Sequence, residues 1–263
     1  MVAPVRYPSG ISNAAPWQFF AGMGVENPFF YHQFYDDFDV LPAATDGWTV
    51  TNATGTAALS TTLDGGNYVM TTAASAASFV SIQRVASSFQ PVAGKKLYFV
   101  ARLSLSDVTN SVVIAGLFPN AATTPFTGTP ANGIWISKAS GGTQLVLNVA
   151  NNSVVTSTNF PTSAYTLTAN TTFDVGIYVT NGMSNTLQGT TITASVGPTL
   201  VSYVPQSGTG TANSTNRAPN IVSTAPLLTT LQATVLAPIL AVQTGNSSVL
   251  SLTSDFVGAF RER

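Results

Sequence analysis

The sequence predicts an all-β protein, an antiparallel β-sandwich or barrel, from three observations. Short runs of β-branched and aromatic residues are separated by clusters of Gly, Pro, Asn and Ser, a spacing typical of many short strands. Thr, whose branched side chain fits a pleated strand, occurs 37 times in 263 residues. No stretch shows a convincing helical repeat, and the one candidate, residues 73–78, is short and Ser-rich, so we expect a loop there.

Three segments show the two-residue period of a strand with one buried face. In 97–105 and in 172–180, apolar side chains occupy every second position. We therefore expect one face of each strand to be buried in the core. Near the end of the chain we expect one face to hold Leu250, Leu252, Phe256 and Phe260. The other face is then expected to hold Val249, Thr253, Asp255 and Val257. Between two strand-like runs, Gly141 and Gly142 supply the positive φ that a tight hairpin turn requires.

The first 34 residues differ in kind from the rest, because they are rich in both proline and aromatic residues. Proline disfavours a central strand, and aromatic density disfavours a solvated tail. We therefore predict an extended N-terminal arm over residues 1–34 and a single β-sandwich domain over 35–263, with an irregular exposed loop near 206–219. Such an arm needs a surface to lie on, either its own domain or a partner. The residues we expect to bind a partner are Tyr7, Pro8, Trp17, Phe19, Phe20, Phe29, Phe30 and Tyr31.

The charge content excludes several classes of protein. Charged residues make up 7% of the chain, against about 25% in an average protein. The net charge of −1 leaves no basic face for nucleic acid. No run reaches the roughly 18 apolar residues of a membrane helix, and the first residues lack the apolar stretch of a signal peptide, so we expect neither. The absence of Cys excludes disulfides and thiolate metal sites.

Few residues are suited to catalysis. His32 is the single histidine, and Glu26 and Glu262 are the two glutamates, so neither a paired-carboxylate nor a His-based mechanism is supported. We expect His32 to be packed or hydrogen-bonded. The isolated aspartates, including Asp174 and Asp255, are typical of turns or strand ends. The sequence therefore predicts that the chain is not an enzyme and uses no cofactor.

Half of the ten acidic residues fall between positions 26 and 46: Glu26, Asp36, Asp37, Asp39 and Asp46. Ca²⁺ takes six to eight oxygen ligands, but this spacing lacks the Gly and distal Glu of a calcium loop. We therefore predict an acidic edge and no metal site. Trp48 and Trp135 are predicted to be core residues, with stacking on sugar rings as the alternative.

Several motifs occur in the order found in a family of tailed-bacteriophage virion proteins. They are RYPSGI at 6–11, YDDFD at 35–39, GWTV at 47–50, a Gly-Gly hairpin at 64–67, GKKLYFVARLSLSD at 94–107 and SDFVGAFRER at 254–263. The chain resembles this family over the arm, roughly residues 35–150 and the last 30 residues. Residues 180–225 match nothing in it.

This resemblance implies a jelly-roll or concanavalin-like sandwich that serves as a structural protein of a phage particle. The expected role is capsid decoration: a cement protein on the outside of the virion, synthesised in the host cytoplasm. Its arm would brace the shell against the major capsid protein, with neighbouring copies as further partners or a homo-oligomer. The alternative is a glycan-binding head or tail-fibre module that uses surface aromatics and the acidic edge, with or without Ca²⁺. The two roles are compatible, because a decoration protein can also bind sugars weakly.

Overall fold

The computed structural model describes residues 31–62, 66–86, 88–92, 95–119, 125–161, 166–179, 192–197, 220–224 and 231–263. Within these ranges the chain forms fifteen strands and two three-residue 3-10 turns, and no α-helix. The turns are Ala44–Asp46 and Leu231–Ala233. The strands are β1 (Tyr31–Asp36), β2 (Trp48–Ala53), β3 (Thr56–Leu59), β4 (Tyr68–Thr71), β5 (Phe79–Arg84), β6 (Leu97–Leu105), β7 (Ser111–Pro119), β8 (Gly133–Lys138), β9 (Leu145–Asn151), β10 (Val154–Asn159), β11 (Phe173–Val179), β12 (Ile192–Gly197), β13 (Asn220–Thr224), β14 (Leu236–Thr244) and β15 (Ser251–Glu262).

The strands form two antiparallel sheets that enclose one core. Sheet A has the order β13–β12–β11–β6–β15–β4–β3, and β1 also pairs with β15. Sheet B has the order β10–β9–β8–β7–β14–β5–β2. Strands distant in sequence are neighbours, since β1 pairs with the last strand of the chain. The prediction of an all-β antiparallel sandwich is confirmed, and residues 73–78 form a loop as expected.

Two of the predicted alternations are confirmed by burial. In β6, Leu97, Phe99, Ala101, Leu103 and Leu105 face the core between the sheets. In β11 the core-facing side chains are Phe173, Val175, Ile177 and Val179. Because successive side chains of a strand point to opposite faces, the intervening residues of both strands lie on the outer face of sheet A.

The predicted alternation of the last strand is wrong beyond Ser254. Leu250 and Leu252 are buried in the core as expected, but the next core residues are Val257 and Ala259. The register of β15 against β6 shifts between Ser254 and Phe256, which is the mark of a β-bulge. One extra residue reverses the faces of everything that follows, so Phe256 and Phe260 lie on the outer face.

Other sequence predictions concern local packing. Trp48 and Trp135 are 1% and 7% exposed, which confirms them as buried residues. Gly141 has the predicted positive φ, +84°, but Gly142 does not, and the connection from β8 to β9 spans residues 139–144, so the predicted tight paired-glycine turn is only partly confirmed. The loop predicted near 206–219 lies outside the described residues. In the described part of the chain, no helix is long and apolar enough to span a membrane.

Candidate functional site

The candidate site lies on the outer face of sheet A, where the bulge in β15 falls. At this point β15 changes its neighbour: residues 251–254 pair with β4, and residues 257–262 pair with β1. Asp255 has no partner in the register between β15 and β6. Bulges re-aim side chains, and here Asp255 and Phe256 both lie against Arg102 of β6.

Arg102 holds two aspartates from different strands. Its Nε and Nη2 donate to the two carboxylate oxygens of Asp174 at 2.8 and 3.2 Å, a bidentate pair between β6 and β11. Its Nη1 donates to Asp255 Oδ2 at 3.4 Å. The hydrogen bond to Asp174 raises the pKa of Arg102 above its ordinary value, so the guanidinium stays charged. One cation therefore faces two carboxylates.

The two carboxylates differ in exposure, and this separates their roles. Asp174 has no exposed surface, while the side chain of Asp255 is 38% exposed. A fully buried carboxylate needs a paired cation, because burying an unpaired charge is costly. We assign Asp174 to fixing the guanidinium in place. Asp255 is left with oxygen surface that a ligand can reach.

Aromatic rings surround this charged group. The rings of Tyr35 and Phe256 stack with centroids 5.8 Å apart, and the guanidinium of Arg102 lies 5.1 Å from the Phe256 ring. Tyr35 is 55% exposed. Partial burial raises the pKa of Tyr35, and the negative charges of Asp37 and Asp255 raise this pKa further. The phenol is therefore neutral, and more than half of the Tyr35 surface is exposed.

The other end of the same face is closed. Tyr98 and Tyr178 stack at 4.5 Å, and Tyr98 and Phe260 are almost fully buried. Gly258 lies between the two ends, opposite Tyr35 in the register with β1. A methyl group there would lie 2.9 Å from the Phe260 ring, so glycine allows that ring to lie over the strand. Among the described aromatic residues of this face, Tyr35 is exposed, and the others are buried or half-buried.

The predicted partner-binding residues are mostly outside the described part of the chain. This is the case for Tyr7, Pro8, Trp17, Phe19, Phe20, Phe29 and Phe30. Tyr31 is described and is the first residue of β1, opposite Glu262. Residues 31–34 of the predicted arm thus belong to a strand of sheet A. Binding of a partner by these residues stays a prediction.

The acidic cluster near β1 has a structural member. Asp36 accepts hydrogen bonds from the indole Nε1 of Trp48 at 2.7 Å and from the backbone N–H of Phe38 at 2.8 Å. Asp37 and Asp39 are exposed in the loop that follows, and Asp46 ends a 3-10 turn. Among the described residues, no three His, Asp or Glu side chains are grouped so that they could bind a metal ion.

Sequence reasoning missed the grouping of Arg102, Asp174 and Asp255. Asp174 and Asp255 were expected at turns or strand ends; Asp174 is the second residue of β11, in agreement, whereas Asp255 lies inside β15. One signal was present: Asp174 is an isolated carboxylate within an apolar strand, and such a group needs a cationic partner. The identity of that partner, 72 residues away, depends on β6 and β11 being neighbours.

Comparison with known proteins finds matches only at the level of structure. No family model matches the chain, and no curated protein sequence matches it. Endo-1,3-beta-glucanase from Streptomyces sioyaensis is 16% identical, with a TM-score of 0.56 over 89% of this chain and 98% of its own. Arcelin-5, a lectin-like defense protein from Phaseolus vulgaris, is 10% identical, with a TM-score of 0.57 over 89% and 99%. The Lotus tetragonolobus seed lectin is 11% identical, with a TM-score of 0.56 over 88% and 99%.

These likenesses correct one prediction and confirm another. The prediction that the chain is not an enzyme, drawn from its scarcity of His, Glu and Cys, is wrong as it stood. A glucanase shares this fold along nearly its whole length, so composition did not justify excluding catalysis. The expected concanavalin-like type of sandwich is confirmed, and the chain has the lectin-like β-sandwich fold.

Proposed function

We propose that this protein binds carbohydrate on the outer face of sheet A, around Tyr35, Phe256 and Asp255. The observation that carries the proposal is the exposed ring of Tyr35, stacked on the half-buried Phe256, beside a half-exposed carboxylate held by Arg102. An exposed aromatic ring next to fixed hydrogen-bonding groups suits a ligand that has both an apolar face and polar edges.

A sugar ring is such a ligand. Its faces carry C–H groups, which are attracted to the electron-rich face of an aromatic ring, and its edge carries hydroxyl groups. In this arrangement Tyr35 supports one face of the sugar, and Asp255 accepts hydrogen bonds from its hydroxyls. Asp174 holds Arg102 in one orientation, so little side-chain freedom is lost when a ligand binds.

The structural relatives support this class of ligand. Two of them are named as a lectin and a lectin-like protein, and a third is named as a 1,3-beta-glucanase. Proteins with this fold thus include several named for carbohydrate recognition or processing.

A glycan array followed by calorimetric titration of the best-bound glycan tests the proposal. We expect saturable binding that Tyr35→Ala weakens about tenfold or more, equivalent to about 1.4 kcal/mol. The matched control is Val154→Ala, which truncates another exposed apolar side chain, at the edge of sheet B, and should bind as the wild type does. Absence of binding to every glycan, or equal binding by Tyr35→Ala, would contradict the proposal. Assaying the same mixtures for new reducing ends measures cleavage directly.

We further propose that the module is carried on a phage particle, with residues 1–34 contacting the major capsid protein. The support is the resemblance of its motifs to virion proteins and the anchoring of residues 31–34 in sheet A. Deleting residues 1–30 keeps β1, so we expect a folded protein that no longer binds particles. Equal occupancy of the truncated and full-length proteins on purified particles would refute this role.

A further inference from the structure

A second cluster of polar groups lies where β1 begins and β15 ends. Four of the nine Lys and Arg residues of the chain are found here with its single histidine: His32, Lys95, Lys96, Arg261 and Arg263. Among the described residues, Glu262 is an acidic side chain in contact with them, and its carboxylate accepts a hydrogen bond from the backbone N–H of Lys96 at 2.9 Å. This corner therefore concentrates positive charge in a nearly neutral protein.

Three of these basic side chains are already bound. Lys95 Nζ donates to the main-chain oxygen of Arg263, and Arg263 Nε donates to the carbonyl of Tyr31 at 3.3 Å. The ammonium of Lys96 lies 3.8 Å from a carboxylate oxygen of Glu262. Each of the three thus has a hydrogen-bond or ion-pair partner within the chain, whereas one buried nitrogen of each of the other two side chains has none.

His32 and Arg261 are directly opposite each other in the register of β1 and β15. They lie on the inner side of sheet A, the same side as the core residue Ala259, and the His32 ring packs on Phe89 at 5.0 Å. Nε2 of His32 and Nε of Arg261 are both buried from solvent without a hydrogen-bond partner. Both residues are half-buried, so each side chain reaches the surface through other atoms, and an anion that bonds to these two nitrogens must displace the groups that cover them.

Leaving these two nitrogens unpaired is costly. A buried donor without a partner costs about 1–3 kcal/mol, and more when the group is charged, as arginine always is. In native structures such groups are explained by local strain, by a functional role, or by a bound water or ion. Two adjacent groups, one a permanent cation and the other able to become one, favour an anion over water.

We propose that His32 and Arg261 form an oxyanion-binding site, which takes a carboxylate or a tetrahedral sulfate- or phosphate-type group. Arg261 donates through Nε, and His32 donates through Nε2 when it is protonated. The site is independent of the carbohydrate site, because Arg261 lies six residues beyond Asp255, about 20 Å along the strand, on the opposite face of the sheet. Failure of one proposal leaves the other intact.

The single histidine makes the test direct, because its imidazole Cε1 proton is the only such signal in a proton NMR spectrum. In the free protein, burial lowers the pKa of His32 below its ordinary value, and the charges of Arg261 and Arg263 lower it further. A bound anion offsets that repulsion. Titrations from pH 5.5 to 8 in chloride, sulfate and acetate at one ionic strength should show a saturable rise of about one pH unit in the His32 pKa with sulfate, acetate or both. A rise in sulfate would indicate recognition of a tetrahedral anion, and a rise in acetate would indicate recognition of a carboxylate.

Two variants separate specific binding from general electrostatics. Arg261→Gln removes the paired donor and should abolish the rise, while Arg263→Gln removes a nearby charge and should retain it. If Arg261→Gln does not fold, Arg261→Lys keeps the charge but moves the donor and should reduce the rise. An identical His32 pKa in all three salts would show that the site holds water only and would overturn the proposal. An equal loss of the rise in Arg261→Gln and Arg263→Gln would also overturn it.

Discussion

The outer faces of the two sheets both carry aromatic side chains. They differ in the charged residues beside those side chains and in how far the rest of the chain buries them. On sheet B, an apolar cluster formed by Ile114, Phe118, Trp135, Ala150, Ile239 and Ala241 is buried, and Phe126 from the connection between β7 and β8 packs over it. On sheet A, Tyr35 is exposed, stacks on the half-buried Phe256 and lies beside two aspartates and an arginine. Aromatic residues on an outer face therefore do not mark a binding site unless they are exposed next to fixed polar groups.

The largest expected effect is on sheet B. Trp135→Ala removes a ring that packs edge-to-face on Phe118 at 5.1 Å and is 7% exposed. We expect the free energy of unfolding in urea to fall by about 3–5 kcal/mol, because a large cavity opens in a packed cluster. Glycan binding by the folded fraction should be unchanged. A loss below about 1 kcal/mol would mean that this face is a surface like that of sheet A.

The ion pair on sheet A should come next. Arg102→Met leaves the fully buried Asp174 without its cation. Breaking a buried pair in this way typically lowers the free energy of unfolding by about 3–5 kcal/mol. We expect a smaller loss here, because Arg102 is partly exposed. The double variant Arg102→Met with Asp174→Asn removes the unpaired charge and should recover much of the loss. Asp255→Asn is the matched control, with a loss below about 1 kcal/mol at its half-exposed carboxylate. If the stability losses of Arg102→Met and Asp174→Asn, measured singly, simply add in the double variant, Arg102 and Asp174 are not coupled.

The sheets also differ in the partners of a buried charged side chain, and this difference affects how stability depends on pH. On sheet B, Lys138 is fully buried, and its ammonium donates to the carbonyls of Ser111 at 2.7 Å and Ala139 at 3.0 Å. Burial lowers the pKa of Lys138 to about 8, against 10.5 ordinarily. The unfolded chain therefore binds this proton more tightly, so stability is lowest below pH 8 and rises as the pH increases towards 10.

Urea unfolding at pH 7 to 10 checks this rise, which we expect to be about 2 kcal/mol for the wild type. Lys138→Met lacks the titrating group and should not show it. Above pH 10 the trend reverses, because burial raises the pKa of Tyr68 and of Tyr98, and the unfolded chain ionises first. Equal pH dependence in the two proteins between pH 8 and 10 would exclude Lys138 as its source.

The smallest expected change in stability is at Tyr35. Tyr35→Ala removes a ring that is 55% exposed, so we expect a loss of less than about 1 kcal/mol in thermal unfolding, together with the loss of glycan affinity described above. Large binding effects with small stability effects distinguish a recognition surface from a packed one. A stability loss above about 2 kcal/mol would place this stack with the structural cluster on sheet B.

The strands with regular alternation were predictable, and the site was not. The core faces of β6 and β11 follow directly from a two-residue period, because each residue's face depends only on its neighbours. Phe256 was assigned to the wrong face, because the bulge before it adds a residue that no local pattern reveals. The same bulge places Asp255 against Arg102. The feature that made the prediction of the last strand wrong is therefore also the one that brings the site residues together.

The composition of the chain was enough to specify an all-β sandwich. Abundant β-branched residues, alternating apolar positions and frequent Gly and Pro leave few other ways to bury a core with so few charges. Which strands become neighbours, and which aromatic rings stay uncovered, depends on contacts between residues far apart in sequence. Trp135 and Tyr35 are both aromatic residues within strands, but other parts of the chain cover one and leave the other exposed. Burial is a property of the assembled sheets, and for that reason the candidate site emerged only from their arrangement.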